Sequence, residues 1–215
     1  MTRWGLPFTF LALILAWAVM LLFGAMEFDR GLLILLYAGT YPRLADSARV
    51  VTELGGVTVL LAVALYGAAI LILRREYWAA GMLLGITLSG RMLVSLQKDW
   101  TARIRPDAQG QLVPVENFAF PSGHAANATI VWLCLALLLP QTERSRQIAV
   151  WAGAWIAIAV GATRVMLGVH WPSDVIGGWA FGLFWTLVCL RLSGQLDLEG
   201  TPAPLPHSAP KGDQT

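Results

Sequence analysis

Long apolar stretches alternate with short polar ones along most of this chain. A helix needs roughly 20 predominantly apolar residues to cross about 30 Å of hydrocarbon. Six runs approach that length: Leu6 to Met26, Val57 to Leu73, Trp78 to Leu96, Gly123 to Leu139, Ile148 to Leu167 and Val175 to Leu192. Each predicts a spanning helix, because a helix satisfies its own backbone polar groups where no water can. The expected fold class is therefore all-α, an integral membrane bundle of six transmembrane helices. Between the first two runs, Gly31 to Gly56 holds a short apolar run, Leu32 to Tyr37, and a mixed segment around Arg43 to Leu54. That stretch is too polar to span and predicts an interfacial helical segment shielding a lateral entrance to the bundle. The first run is too long for a signal-peptide core and lacks a convincing cleavage pattern before Glu27, so it reads as a retained helix. After Leu192 the composition shifts to Pro, Gly and Ser, as in Thr201-Pro-Ala-Pro-Leu-Pro. The expected division is one membrane domain over 1–196 and a disordered tail over 197–215.

Composition agrees with the pattern. Of 215 residues, 57% are hydrophobic and 13% charged, against about 25% charged in ordinary soluble domains, which excludes a disordered chain and a water-soluble globule. The net charge of +2 is the difference between 15 basic and 13 acidic residues; no nucleic-acid partner is expected, and the bilayer is the expected surrounding. Cys134 and Cys189 lie inside apolar runs and read as small hydrophobes, not as a disulfide or a metal pair. With the N-terminus inside, basic residues nearly tie between the two faces, and setting aside the tight Lys98 to Arg105 cluster favours both termini inside.

Three segments place cations, histidines and a carboxylate where lipid would otherwise forbid them. They are Lys98 to Pro106 at the end of the third run, Pro121-Ser122-Gly123-His124 at the start of the fourth, and Arg164, His170 and Asp174 from the end of the fifth into the sixth. In a six-span chain those ends share one membrane face. Lys98, Arg103, Arg105, Ser122, His124, Arg164, His170 and Asp174 are thereby expected to meet in one pocket. Several cations beside a helix N-terminus make an anion site, with phosphate favoured by the fork of arginine and by free backbone N–H groups. Ser122 is expected as N-cap or phosphate donor, and Gly123 lets backbone approach a ligand. His170 and Asp174 are four apart, so a helix starting near Pro172 would let Asp174 hold one ring nitrogen and leave the other free to attack phosphorus. His124 could protonate the leaving group.

These segments resemble the type 2 phosphatidic acid phosphatase (PAP2) superfamily, whose signature is K-x6-R-P, then P-S-G-H, then S-R-x5-H-x3-D. Lys98 to Pro106, Pro121 to His124, and Arg164, His170 and Asp174 reproduce its spacings; Thr163 stands where Ser is usual, keeping a hydroxyl. The resemblance implies a metal-independent lipid phosphatase without a cofactor. His170 would be the nucleophile, Asp174 its partner and His124 the general acid. Lys98, Arg105, Ser122, Gly123 and Arg164 would bind phosphate. It implies a bacterial cytoplasmic (inner) membrane protein with its active site on the periplasmic face. Undecaprenyl pyrophosphate is the first substrate expected, from the small six-span chain without an added domain. Phosphatidylglycerophosphate, phosphatidic acid and lipid A phosphates are the alternatives, as is phosphate transfer to a lipid or sugar hydroxyl through the same site.

Arg103 is open between substrate contact and headgroup contact. Zinc is not expected, because the ligand set is incomplete and the cations would repel a dication. Arg91, inside the third run, reads as one half of a buried pair or a structural bond to helix ends. Gly81-x-x-x-Gly85 and Gly178-x-x-x-Gly182 read as packing seams within the bundle, the tryptophans and methionines as belt and filler, and His207 as without a role.

Overall fold

The computed structural model describes residues 5–24 and 26–195, and among them every regular element is helical. The expected tail at 197–215, with His207, lies outside the described residues. The helices are α1 (Gly5–Phe23), α2 (Glu27–Leu36), α3 (Pro42–Thr52), α4 (Val57–Leu73), α5 (Tyr77–Thr101), α6 (Gly123–Leu138), α7 (Glu143–Met166) and α8 (Pro172–Leu192). All six apolar runs are helices. Four of them, α1, α5, α7 and α8, are long and apolar enough to cross a membrane by themselves. A fifth span arises if α3 and α4, bent by 43° at a short turn, count as one, whereas α6 is a shorter apolar helix of 16 residues.

Helix ends differ from the apolar runs where polar residues continue a helix. α5 carries on past Leu96 to Thr101, so Lys98 stands on its last turn, and the helix stops where Ala102 turns left-handed (φ 46°). α7 begins at Glu143, five residues before its apolar run, because Thr142 and Ser145 cap each other's backbone in a capping box. α8 begins at Pro172, whose fixed φ and missing N–H suit a first helical position.

α6 lies at the centre, against α5, α7 and α8. Its seam with α8 is a glycine one: a Cβ at Gly178 would lie 2.7 Å from the Ser122 carbonyl oxygen, and one at Gly182 would lie 2.6 Å from that of Ala126. The other small-residue pair departs from expectation, since a Cβ at Gly81 or Gly85 would meet nothing within 4 Å, and both face outward. The apolar core runs through α4, α5, α6 and α8, with Leu71, Leu83, Ile130 and Leu190 fully enclosed. Several tryptophans do more than fill space: Trp17 donates to Gln97 (2.9 Å), Trp179 to the Ala157 carbonyl (2.9 Å) and Trp185 to Ser89 (3.2 Å), each joining two helices. Cys134 is buried and Cys189 partly so, both as free thiols.

The segment between α1 and α4 packs on the bundle, which its polarity did not announce. α3 packs on α7 and α2 touches α7 and α8, so both helices reach the end of the bundle that holds the polar cluster.

Candidate active site

The C-termini of α5 and α7 and the N-termini of α6 and α8 converge on one cavity of about 400 Å³, lined by Lys98, Arg105, Gly123, His124, Arg164 and His170 together with residues 114–117. Three of those side chains are cations.

His170 follows a tight reversal after α7 in which Gly168 takes φ +71°, where a Cβ would also stand 2.6 Å from the Gly110 carbonyl oxygen. The chain then enters α8, which brings the carboxylate of Asp174 back over the imidazole. His170 Nδ1 lies 3.3 Å from Asp174 Oδ2, and the same oxygen accepts the backbone N–H of Trp171 at 2.9 Å. Both side chains are buried. The carboxylate fixes the proton on Nδ1, so Nε2 keeps its lone pair. That nitrogen faces the cavity and meets Arg105 Nη1 at 3.1 Å. Burial first, and then the charges of Arg105, Lys98 and Arg164, hold the imidazole well below the usual histidine range. At neutral pH His170 is uncharged, the form a nucleophile needs.

The cations are held by backbone and side-chain oxygens. Lys98 Nζ donates to the Phe118 carbonyl at 2.6 Å. Arg105 donates through Nε to the Asn117 carbonyl at 2.6 Å, through Nη2 to Asn117 Oδ1 at 2.5 Å, and through Nη1 to the Val169 carbonyl. Arg164 donates to Thr52 Oγ1 of α3 at 3.0 Å, while its Nε has no partner among the described residues. Ser122 occupies the N-cap position of α6 without capping it: its hydroxyl is buried and unpartnered, and its N–H donates to the Asp174 carbonyl. At Gly123 a Cβ would meet only ordinary contacts, the nearest at 3.7 Å, so the chain itself does not demand glycine there. His124 also lines the cavity.

Arg103, left open between substrate and headgroup contact, does not line the cavity. It lies behind Asp174, paired to Oδ1 at 2.9 Å, and donates to the Met20 and Leu21 carbonyls at the end of α1 (2.8 and 2.5 Å). Its guanidinium also sits 4.4 Å over the Phe120 ring. Those α1 carbonyls are among the four that a helix terminus leaves unpaired, so one side chain neutralises Asp174 and closes the end of a helix. Asp29 of α2 completes the arrangement by accepting from the backbone N–H and hydroxyl of Ser173, while Arg103 donates to that same hydroxyl at 3.2 Å. With Asp174 offset by Arg103, the charges of Lys98, Arg105 and Arg164 are left for a ligand.

Asp29, Thr52, Asn117 and Ser173 escaped the sequence reading. A carboxylate two residues into a short amphipathic helix carries no local mark of a contact made 144 positions away. Replacing Arg103 with Met leaves Asp174 buried without its counter-ion, a change that typically costs about 3–5 kcal/mol. Thermal unfolding in detergent should show that loss, with Arg103→Lys recovering part of it. A change within the error of the melting curve would contradict the pairing.

Residues 77–197 match the PAP2 superfamily. Phosphatidylglycerophosphatase B of Bacillus subtilis is 34% identical over 147 residues, covering 66% of this chain and 71% of that protein. A lipid A 1-phosphatase of Rhizobium etli is 34% identical over 122 residues, 52% of this chain and about half (49%) of the relative. The crystal structure of a transmembrane PAP2-type phosphatidylglycerolphosphate phosphatase from Bacillus subtilis superposes with a TM-score of 0.81 at 26% identity, covering 88% of this chain and 98% of that one. By family match, relatives and fold, the chain belongs to the PAP2 superfamily, and its long apolar helices make it an integral membrane protein.

Proposed function

We propose that this protein is a metal-independent lipid phosphatase that removes a terminal phosphate, from a monoester or a pyrophosphate, through a covalent phosphohistidine on His170. The observation that carries the reading is the His170–Asp174 pair, with Nδ1 turned to the carboxylate and Nε2 turned to a cavity rich in cations. The phosphatase names of the relatives support it.

Phosphate enters between Lys98, Arg105 and Arg164, with the N-terminal N–H groups of α6 and the unpartnered Ser122 hydroxyl as further donors. Arg105 moves from the lone pair of Nε2 onto a phosphate oxygen. Nε2 then attacks phosphorus as the bond to the departing oxygen breaks, and His124, which takes up a proton when the negative phosphate enters beside it, gives that proton to the departing oxygen. Asp174 stabilises the charge that develops on the ring. Water, giving its proton back to His124, attacks the phosphohistidine in the second half-reaction, which releases inorganic phosphate and restores neutral His170.

The six apolar helices are assigned as six spans, with α2 and the start of α3 at the interface and the site at the outer, periplasmic face of the cytoplasmic membrane. Undecaprenyl pyrophosphate, phosphatidylglycerophosphate, phosphatidic acid and lipid A make up the substrate panel. Phosphate release by the purified protein without an added acceptor should proceed in EDTA and be inhibited by vanadate, which copies five-coordinate phosphorus. Loss in EDTA restored by zinc or magnesium, or release only when an acceptor alcohol is present, would contradict the reading.

A further inference from the structure

Arg91 and Asp29 are charged side chains of the bundle that take no part in lining the phosphate cavity. Arg91, expected as half of a buried pair, meets no ion pair or hydrogen bond among the described residues. Asp29 of α2 is the opposite case, buried and tied to the helix that carries Asp174. α8 opens with Trp171 at its N-cap, Pro172 and Ser173 as its first two residues and Asp174 as its third. A helix leaves its first N–H groups unpaired. Asp174 takes that of Trp171, and Asp29 Oδ1 takes that of Ser173 at 2.9 Å, reaching in from another helix. Negative charge is stabilising at that end of α8.

The other oxygen of Asp29 does more than cap. Ser173 donates its hydroxyl proton to Asp29 Oδ2, which leaves the hydroxyl oxygen to accept from Arg103 Nη1 at 3.2 Å. The second hydrogen of that nitrogen goes to Asp174 Oδ1 at 2.9 Å, and those of Nη2 go to the Met20 and Leu21 carbonyls. Every Nη hydrogen of Arg103 is thus assigned, and the direction of the Ser173 hydroxyl is what lets the fork close. A Cβ at Gly24 would stand 2.3 Å from Arg103 Nη1 and 2.4 Å from the Ser173 hydroxyl oxygen, so the end of α1 passes this network only as glycine.

Resting on the phosphatase reading above, we propose that Asp29 is a positioning residue for the reaction, a carboxylate on α2 that acts through Ser173 and Arg103 to hold Asp174 against His170. An amide at position 29 would have the shape of the carboxylate but one wrong pole. With its oxygen on the Ser173 N–H, its NH₂ group meets the hydroxyl oxygen and turns the hydroxyl proton toward Arg103. With its oxygen on the hydroxyl, the NH₂ group meets the backbone N–H. Either way a donor faces a donor, and the turn that carries Asp174 loses the geometry from which the carboxylate steadies the ring as Nε2 attacks.

The test measures kcat and KM for phosphate release from each lipid of the panel above in mixed micelles, with Asp29→Asn and Ser173→Ala made in wild type and in Asp174→Asn. In wild type, Asp29→Asn should lower kcat by about tenfold, the scale of one hydrogen bond to a charged group, with KM unchanged because the loss falls in the transition state. Ser173→Ala keeps its backbone N–H on Asp29 but removes the bridge to Arg103. It should lower kcat in the same direction, and the two changes together should cost no more than Asp29→Asn alone. In Asp174→Asn, where no carboxylate is left to position, neither change should lower the residual kcat further. A wild-type kcat in both variants, or a loss carried by KM, would overturn the proposal. So would an equal fold-loss with and without the Asp174 carboxylate, which would make Asp29 a helix cap alone. If Asp29→Asn does not fold in detergent, Ser173→Ala in the two backgrounds decides by the same criteria. Absence of phosphate release by wild type from every lipid would instead overturn the phosphatase reading, and this inference with it.

Discussion

His170→Ala should lower phosphate release from any lipid substrate by roughly 10⁴-fold or more, the scale seen when a nucleophile is removed from a unit that acts together. The protein should remain folded, because the ring contributes contacts to Asp174 and Arg105 while the helix packing around it rests on other groups. Arg103 holds Asp174 from behind, and Asp29 holds the adjacent Ser173. Lys98, Arg105 and Arg164 keep their backbone and Thr52 partners, so the variant should still bind a lipid phosphate. Retained affinity with lost turnover separates a covalent role from a binding one. In wild type, a rapid quench should trap protein-bound phosphate that is stable to base and labile to acid, as phosphorus on nitrogen is, and the variant should show none. Turnover within tenfold of wild type would remove His170 from the nucleophile's place.

Asp174→Asn should slow phosphoryl transfer by about 10⁴-fold, as expected when the orienting carboxylate of a histidine is made neutral. The amide keeps the shape but loses two things. It no longer stabilises the imidazolium that forms as Nε2 attacks, and its NH₂ group can turn to Nδ1 and favour the wrong tautomer. The substitution also strands Arg103, whose guanidinium would face a neutral group on one side and the carbonyls of Met20 and Leu21 on the other. A modest fall in melting temperature should therefore accompany the kinetic loss. Near-normal rates would show that burial and Arg105 alone prepare His170.

The part of this site that was legible in the sequence is the part built on helix ends. Four termini had to share a face once six apolar runs were counted, and His170 to Asp174 is one helical turn, so their contact followed from spacing. Lys98, Arg105, Gly123, His124 and Arg164 line the cavity as their places at those ends required. What spacing could not supply was the partner of each charge. Arg103 and Arg105 are two residues apart and look alike in sequence. The left-handed turn at Ala102 and the chain after it send one behind Asp174 and the other to Nε2 of His170. Thr52 comes from the Gly31 to Gly56 segment read as an interfacial cover, and Asp29 from just before it. Their contacts depend on how α2 and α3 fold back over the bundle, and no local periodicity encodes that path. Arg91 was conspicuous as a charge in a span, but whether it had a partner could be decided only from its surroundings.

The measurement that tests the account most directly is the stereochemistry at phosphorus. A lipid phosphorothioate made chiral at phosphorus with ¹⁶O and ¹⁸O is hydrolysed in H₂¹⁷O by wild-type protein in EDTA, so that the inorganic thiophosphate carries sulfur and three different oxygens, and its configuration is read through an in-line transfer of known outcome. Attack by His170 followed by attack of water inverts phosphorus twice, so net retention is predicted whether or not the intermediate accumulates. Net inversion would mean a single displacement by water, and would contradict a covalent role for His170.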